Sequence, residues 1–232
     1  MLDVPLDLRV RPTRIRRVDP SELSVAVRLV DLDADPEQLR RAESVLSPAE
    51  RARARRGTST VHRRRVMLRA ALRAALGNEL SQDPAAVQLG TSASGRPFPM
   101  AASRALLDAN CSASGDLGVI AVGRACRVGI DVEGIAPWSA DTLVEGWLSA
   151  AEQAALQSLP VEERALAATR CWTQKEAVLK ARGTGLLDDP CTIVTPVGCP
   201  TGVVAGWTVE DVPVPRGWVA TLALGPLKEM PA

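Results

Sequence analysis

The stretch Trp172-Thr173-Gln174-Lys175-Glu176-Ala177-Val178-Leu179-Lys180 sets the terms for the rest of the chain. The protein carries 25 arginines and 3 lysines, and two of those lysines, Lys175 and Lys180, fall inside this stretch. Lysine is a compact, tunable point charge, whereas arginine is a flat, permanently charged fork. Ammonium groups placed here, in a chain otherwise built on arginine, point to chemistry; a codon bias with two chance lysines is the alternative. Trp172, Glu176 and Lys180 are spaced i, i+4, i+8 and share one stripe of a helix. Lys175 lies off that stripe and points to a different part of any ligand. An exposed Glu-Lys surface pair, worth a few tenths of a kcal/mol, has the same spacing.

A second stretch faces the same question. Val128-Gly129-Ile130-Asp131-Val132-Glu133 alternates as a strand. Residues i and i+2 of a strand share a face, so Val128, Ile130 and Val132 take the core and Asp131 and Glu133 project together from the other side. Two like charges held close repel unless a cation lies between them. Mg²⁺ suits such a pair, since it takes one or two protein carboxylates and completes its shell with phosphates. A solvated strand face gives the same pattern. If Glu176 meets this pair, the site gains a third carboxylate beside an ammonium, a setting for phosphoryl chemistry.

Around these stretches the chain is ordinary. It has 232 residues, 46% hydrophobic and 24% charged, with only 3% aromatic, so its core is aliphatic. Five cysteines with no CxxC pair read as thiols of a reducing compartment. No basic segment precedes an apolar run at the start, and no run approaches the roughly 18 residues of a membrane span. A cytoplasmic protein with no membrane partner is expected. The net charge of +1 hides an asymmetry: residues 1–120 carry 19 arginines against 14 acids, and residues 121–232 carry 9 bases against 13 acids. That division suits an anion in one half and a metal in the other; two solvated surfaces that differ by chance give it as well.

The elements repeat. Residues 1–20 form an arm, Leu23–Leu29 a strand, Asp31–Pro36 a loop and Leu39–Leu46 a short helix. Ser47-Pro48-Ala49-Glu50 is a capping box, and Val61–Leu76 a long helix closed by Gly77. A short strand at Val87–Leu89, a loop at Ser92–Pro97, and strands at Asn110–Ser114 and Leu117–Gly123 complete the first half. In the second, Ser149-Ala150-Ala151-Glu152 is another capping box. A helix over Val161–Lys180 ends before Gly183, and strands follow at Cys191–Val194, Gly206–Val212 and Gly217–Leu224. The expected fold is therefore α+β, two similar α/β halves packed as a pseudo-dimer, divided as residues 1–125 and 126–232.

Several chemistries are excluded. No lysine follows a glycine, so there is no P-loop. A single histidine, His62, forbids a multi-histidine metal site, and its place among arginines suits a surface or phosphate contact. The basic run Arg51, Arg53, Arg55, Arg56, Arg63, Arg64, Arg65 and Arg69 suits phosphates held by bidentate guanidinium contacts. A nucleic-acid surface is its competitor, but no aromatic residue interleaves it and the chain is near neutral, so no nucleic-acid partner is expected.

Taken as a pair about 40 residues apart, the two stretches resemble the signature motifs of the 4'-phosphopantetheinyl transferase superfamily. The two halves resemble its monomeric, surfactin-synthetase-activating (Sfp) type. Leu46–Arg51, His62-Arg63, Gly95-Arg96-Pro97 and Leu148–Glu152 extend the likeness across residues 23–224. The resemblance implies transfer of 4'-phosphopantetheine from coenzyme A to a serine of an apo acyl or peptidyl carrier protein, with release of adenosine 3',5'-bisphosphate. It implies Mg²⁺ on Asp131, Glu133 and Glu176. Glu176 would help remove the serine proton, and Lys180 would stabilise charge on the pyrophosphate. It puts Arg53, Arg63, Arg96 and Ser112 on coenzyme A, with Lys175 reaching it from another side. A carrier-protein surface is expected around Trp147, Leu148 and Leu156. The chain departs from the pattern at Ala113, where the family has histidine, and at Glu50, where some members have a basic residue. A non-catalytic coenzyme A or carrier-protein binding homologue is the second expectation.

Overall fold

The computed structural model describes residues 10–19, 23–92, 95–100, 107–137, 139, 146–184 and 188–226. The first sheet runs β1 (Val10–Asp19), β2 (Leu23–Asp31), β6 (Leu117–Arg124) and β5 (Leu107–Ser114), all antiparallel. The second runs β7 (Cys126–Gly134), β10 (Trp218–Pro226), β9 (Trp207–Asp211) and β8 (Thr201–Val204), also antiparallel. A helix of 22 residues packs on each, α3 (Ser59–Leu80) on the first and α5 (Val161–Arg182) on the second. Shorter helices α1 (Pro36–Ser44) and α2 (Pro48–Ala54) precede α3, and α4 (Ala150–Ser158) precedes α5. A small hairpin joins β3 (Leu89–Thr91) to β4 (Pro97–Pro99). The protein is thus α+β, two similar halves facing each other as a pseudo-dimer.

Alternation along the strands produces this layering. Val119 and Ala121 of β6 share a buried cluster with Val128, Ile130 and Val132 of β7 and Leu222 of β10. Ile120 and Val122 of β6 instead join Val66, Met67, Ala70 and Leu72 of α3. Two apolar layers therefore share one strand, and full burial of each Val or Ile contributes about 1.5–3 kcal/mol.

The likeness of the two halves extends to side chains. Ser47 and Glu50 close one capping box, Ser149 and Glu152 the other. Each glutamate also holds a buried cation 23 residues further on: Glu50 accepts from Arg73 Nε at 2.8 Å, and Glu152 accepts from Lys175 Nζ at 2.8 Å. Arg73 then donates to Pro84 O and Val87 O, Lys175 to Pro190 O and Trp147 O.

Some expectations are corrected. Residues 10–19 of the expected arm pair with β2 along its length as an edge strand, where a proline is tolerated, with register shifts between Pro12 and Arg14 and between Arg17 and Asp19. Helix α1 begins at Pro36, because Asp35 and Gln38 close a capping box inside the expected loop. Gly77 does not stop α3, which ends when Ser81 turns left-handed at φ 52°. A Cβ at Gly77 would lie 2.7 Å from Gln82 O, so the glycine gives room to the returning chain. The expected strand at Cys191–Val194 is a 3-10 turn over Pro190–Thr192, capped by Asp189. The strand expected at Val87–Leu89 lies at Leu89–Thr91, and its partner β4 begins in the expected loop. Gly183 caps α5 as expected, donating to Leu179 O and Lys180 O.

Candidate active site

The two sheets meet edge to edge where β5 lies beside β7, and side chains replace the missing backbone ladder. Every second residue of β5 reaches across. Asp108 Oδ2 accepts from Val128 N at 2.9 Å, Asn110 Oδ1 accepts from Ile130 N at 3.1 Å, and Ser112 Oγ donates to Asp131 Oδ1 at 2.7 Å. All three side chains are buried, so these contacts carry the polar accounting of the seam. Arg96 locks it: Nη2 donates to Asp108 Oδ2 at 2.6 Å and to Val128 O at 2.8 Å, while Nη1 donates to Lys180 O.

Helix α5 lies directly on the other face of β7 because residue 129 has no side chain. A Cβ there would lie 1.9 Å from Ala177 O and 2.5 Å from Ala181 N. This close approach brings Lys180 to Asp131. Lys180 Nζ is 2.5 Å from Asp131 Oδ1 and 2.9 Å from Ser112 Oγ. Asp131 is buried, and its second oxygen, Oδ2, has no hydrogen-bond partner; neither has the buried Oε1 of Glu176. Burial pushes the Glu176 carboxyl above its usual range, opposed by Lys180 and reinforced by Asp131 and Glu133. Glu133 also rises, chiefly through burial, against a hydrogen bond from Ser114. The three carboxylates feel one another, but among the described residues no group of three acidic, histidine or cysteine side chains converges as a ready-made metal cage.

Beyond the seam, Ala49, Ala52, Arg53, Arg56 and Arg65 border a cavity of about 670 Å³. A smaller adjoining one, about 210 Å³, is bordered by Arg53, Arg65, Arg69 and Cys111 among others. Anions would find several guanidinium groups there. Arg65 itself is braced by donating to Arg56 O.

The expected residues therefore divide. Asp131, Glu133, Glu176, Lys180 and Ser112 are neighbours. The expected phosphate trio is not brought together: Arg53 borders the cavity, Arg63 pairs with Asp33 and Asp116, and Arg96 is buried in the seam. Arg56, Arg65 and Arg69 are further guanidinium groups at the two cavities. Lys175 is fully buried, and its ammonium donates to Glu152 Oε2, Trp147 O and Pro190 O. Leu148 and Leu156 are core beside Ala167, Ala168 and Cys171, and Trp147 packs edge-on against Trp172 at 5.2 Å. Ala113 is exposed, on the face of β5 opposite Ser112. Glu50 is explained by its cap and by Arg73. His62 lies 3.0 Å from Glu43. Asp108 and Asn110 were missed, although polar residues at every second position of Asp108-Ala109-Asn110-Cys111-Ser112 carried the signal. All five cysteines are free thiols, and among the described residues no helix is long and apolar enough to cross a membrane.

The segment that carries β7 and α5 matches, over residues 127–199, the family model described as the 4'-phosphopantetheinyl transferase superfamily. Together with the relative described next, this places the chain: it belongs to that superfamily. The relative is the 4'-phosphopantetheinyl transferase HetI of Nostoc sp. (strain PCC 7120), which is 36% identical over 161 residues, 68% of this chain and 68% of HetI.

Proposed function

We propose that the protein is a holo-carrier-protein synthase of the monomeric Sfp type. It transfers 4'-phosphopantetheine from coenzyme A to a serine of an apo acyl or peptidyl carrier protein, such as those of polyketide or peptide assembly lines. The observation that carries this reading is the meeting of Lys180 with Asp131 on one wall of a site whose buried Asp131 Oδ2 and Glu176 Oε1 lack protein partners. Hard, unpartnered carboxylate oxygens fit Mg²⁺, and Asp131, Glu133 and Glu176 would hold it. When bound, Mg²⁺ neutralises charge on the coenzyme A pyrophosphate.

The protein's own side chains supply the rest. Arg53, Arg56, Arg65 and Arg69 receive coenzyme A phosphate groups in the two adjoining cavities, in the half formed by residues 1–125. The carrier serine oxygen forms a bond to the pantetheine-side phosphorus while the bond to the departing adenosine 3',5'-bisphosphate breaks. Glu176 takes the serine proton. Lys180 offers its ammonium to the phosphate that gains charge. Ser112 holds Lys180 and Asp131 in register. Residues 126–232 supply the chemistry, and the setting is cytoplasmic.

Mass spectrometry tests this directly. A panel of apo carrier proteins incubated with coenzyme A, Mg²⁺ and the protein should gain one phosphopantetheinyl group on serine, and Glu176→Gln should slow the gain by about 10²–10⁴-fold. No adduct on any carrier would overturn the proposal. The second reading, a coenzyme A or carrier-protein binding homologue, is favoured by the exposed Ala113 at the family's histidine position. It predicts coenzyme A binding without turnover.

A further inference from the structure

Lys175 is the largest fully buried side chain of the described residues, yet it ends in a charge. It sits one residue before Glu176 and points away from the site. Its pseudo-equivalent in the other half, Arg73, makes the same kind of pair but flanks no carboxylate of the site. That contrast makes the buried lysine informative.

Helix α5 has an unusual problem. Buried residues enclose most of it: Ala167, Ala168, Cys171, Thr173, Gln174, Ala177, Val178, Leu179 and Ala181 take most of its circumference, and the stripe of Trp172, Glu176 and Lys180 is only partly buried. A helix buried over most of its circumference has no narrow apolar stripe to fix its rotation about its own axis. Polar contacts on consecutive residues can fix it. Thr173 Oγ1 lies 2.8 Å from Thr221 Oγ1 of β10, Gln174 Nε2 donates to Cys199 O at 2.9 Å, and Lys175 Nζ donates to Glu152 Oε2, Trp147 O and Pro190 O at 2.8–2.9 Å. Of these anchors, the lysine is the one that ties α5 to three separate segments at once. A rotation of α5 that moved Glu176 and Lys180 away from Asp131 would tear all three bonds and leave two unpaired buried charges, a heavy penalty.

We infer that Lys175 and Glu152 are positioning residues, which set the rotation of α5 so that Glu176 and Lys180 face Asp131. The inference rests on the transferase reading above. A single ammonium suits the task, because three protons on one nitrogen can satisfy three acceptors from different directions. Lys175 touches neither substrate nor metal in this role.

The test compares the two halves. The double variant Lys175→Met with Glu152→Gln removes both charges, and the glutamine side chain can still close the capping box with Ser149. Lys175→Met alone and Arg73→Met accompany it. Each variant is melted, then its holo-carrier formation is followed against Mg²⁺ at saturating coenzyme A, and Mn²⁺ binding is measured by electron paramagnetic resonance with coenzyme A present. The Lys175 variants should raise both the half-saturating Mg²⁺ and the Mn²⁺ dissociation constant on the order of tenfold, as loss of outer-sphere support does. Arg73→Met should lower the melting temperature while leaving both metal readouts within about twofold of wild type. Lys175 variants that melt early but keep wild-type metal readouts would overturn the inference, as would an equal shift from Arg73→Met. If wild type modifies no carrier, the transferase reading fails, and the Mn²⁺ comparison still decides the role of Lys175. If wild type binds no Mn²⁺ with coenzyme A, the inference falls with the metal site.

Discussion

Replacing Gly129 by alanine tests how the site is built. The new Cβ would start 1.9 Å from Ala177 O, 2.5 Å from Ala181 N and 2.8 Å from Ala181 Cβ. Two of these are backbone atoms, which cannot rotate aside as a side chain tip could. To reach ordinary contact near 3.4 Å, α5 and β7 must separate by about 1.5 Å along the closest direction. Overpacking of this kind costs about 1–3 kcal/mol. For a chain of this size each kcal/mol lowers the melting temperature by about 2–4 °C, so a fall of roughly 2–12 °C is expected. The same shift lifts Lys180 and Glu176 off Asp131, and a misplacement of about 1 Å can cost on the order of 100-fold in rate. The assays are a thermal melt and the rate of carrier modification at saturating coenzyme A and Mg²⁺. A variant that melts within about 2 °C of wild type and keeps half its rate would refute the claim that the missing side chain brings α5 onto β7.

Two further outcomes are expected. Arg53→Ala should raise the KM for coenzyme A about tenfold, as loss of one charge-assisted contact does, whereas Arg63→Ala, whose guanidinium is engaged by Asp33 and Asp116, should change it less than about twofold; steady-state kinetics at fixed ionic strength distinguishes them. Burial pushes the Glu152 carboxyl upward, but hydrogen bonds from Lys175, Thr195 and Ser149 N outweigh it and hold the group below its ordinary value. A lowered carboxyl adds stability that is complete above its unfolded value and is lost as pH falls through the folded one. Glu152→Gln should therefore melt below wild type at neutral pH, with the gap closing as pH drops through the acid range; a gap that stays constant down to acid unfolding would contradict this.

Some of this was written in local sequence. Capping boxes at Ser47 and Ser149 need only residues three apart, and both formed. The strand over Val128–Glu133 needs only period-two alternation, and it buries its valines and isoleucine as expected. The placement of the arginines was not legible, because neither a helix nor a loop offers a local sign of which guanidinium meets an acid from another segment. Arg63 was claimed by Asp33 and Asp116, and Arg96 by Asp108. The 3-10 turn at Pro190 was missed for a related reason: the apolar run Ile193-Val194 suits a strand, but Asp189 caps the chain into a turn first.

By itself the sequence determined the elements that carry the chemistry and the order of their charges, since helical and strand periodicities are properties of neighbouring residues. Asp131 and Glu133 share a face whatever the rest of the chain does, and Glu176 and Lys180 share a stripe. Only the tertiary structure decided that these two surfaces meet, because their contact depends on the empty position at Gly129 and on the seam that Asp108, Asn110 and Ser112 stitch between the halves. It also decided the fate of Lys175 and Lys180. One ends against Asp131, and the other is buried among three acceptors, because a charge in the interior goes where its partners are and no spacing in the chain records where those lie.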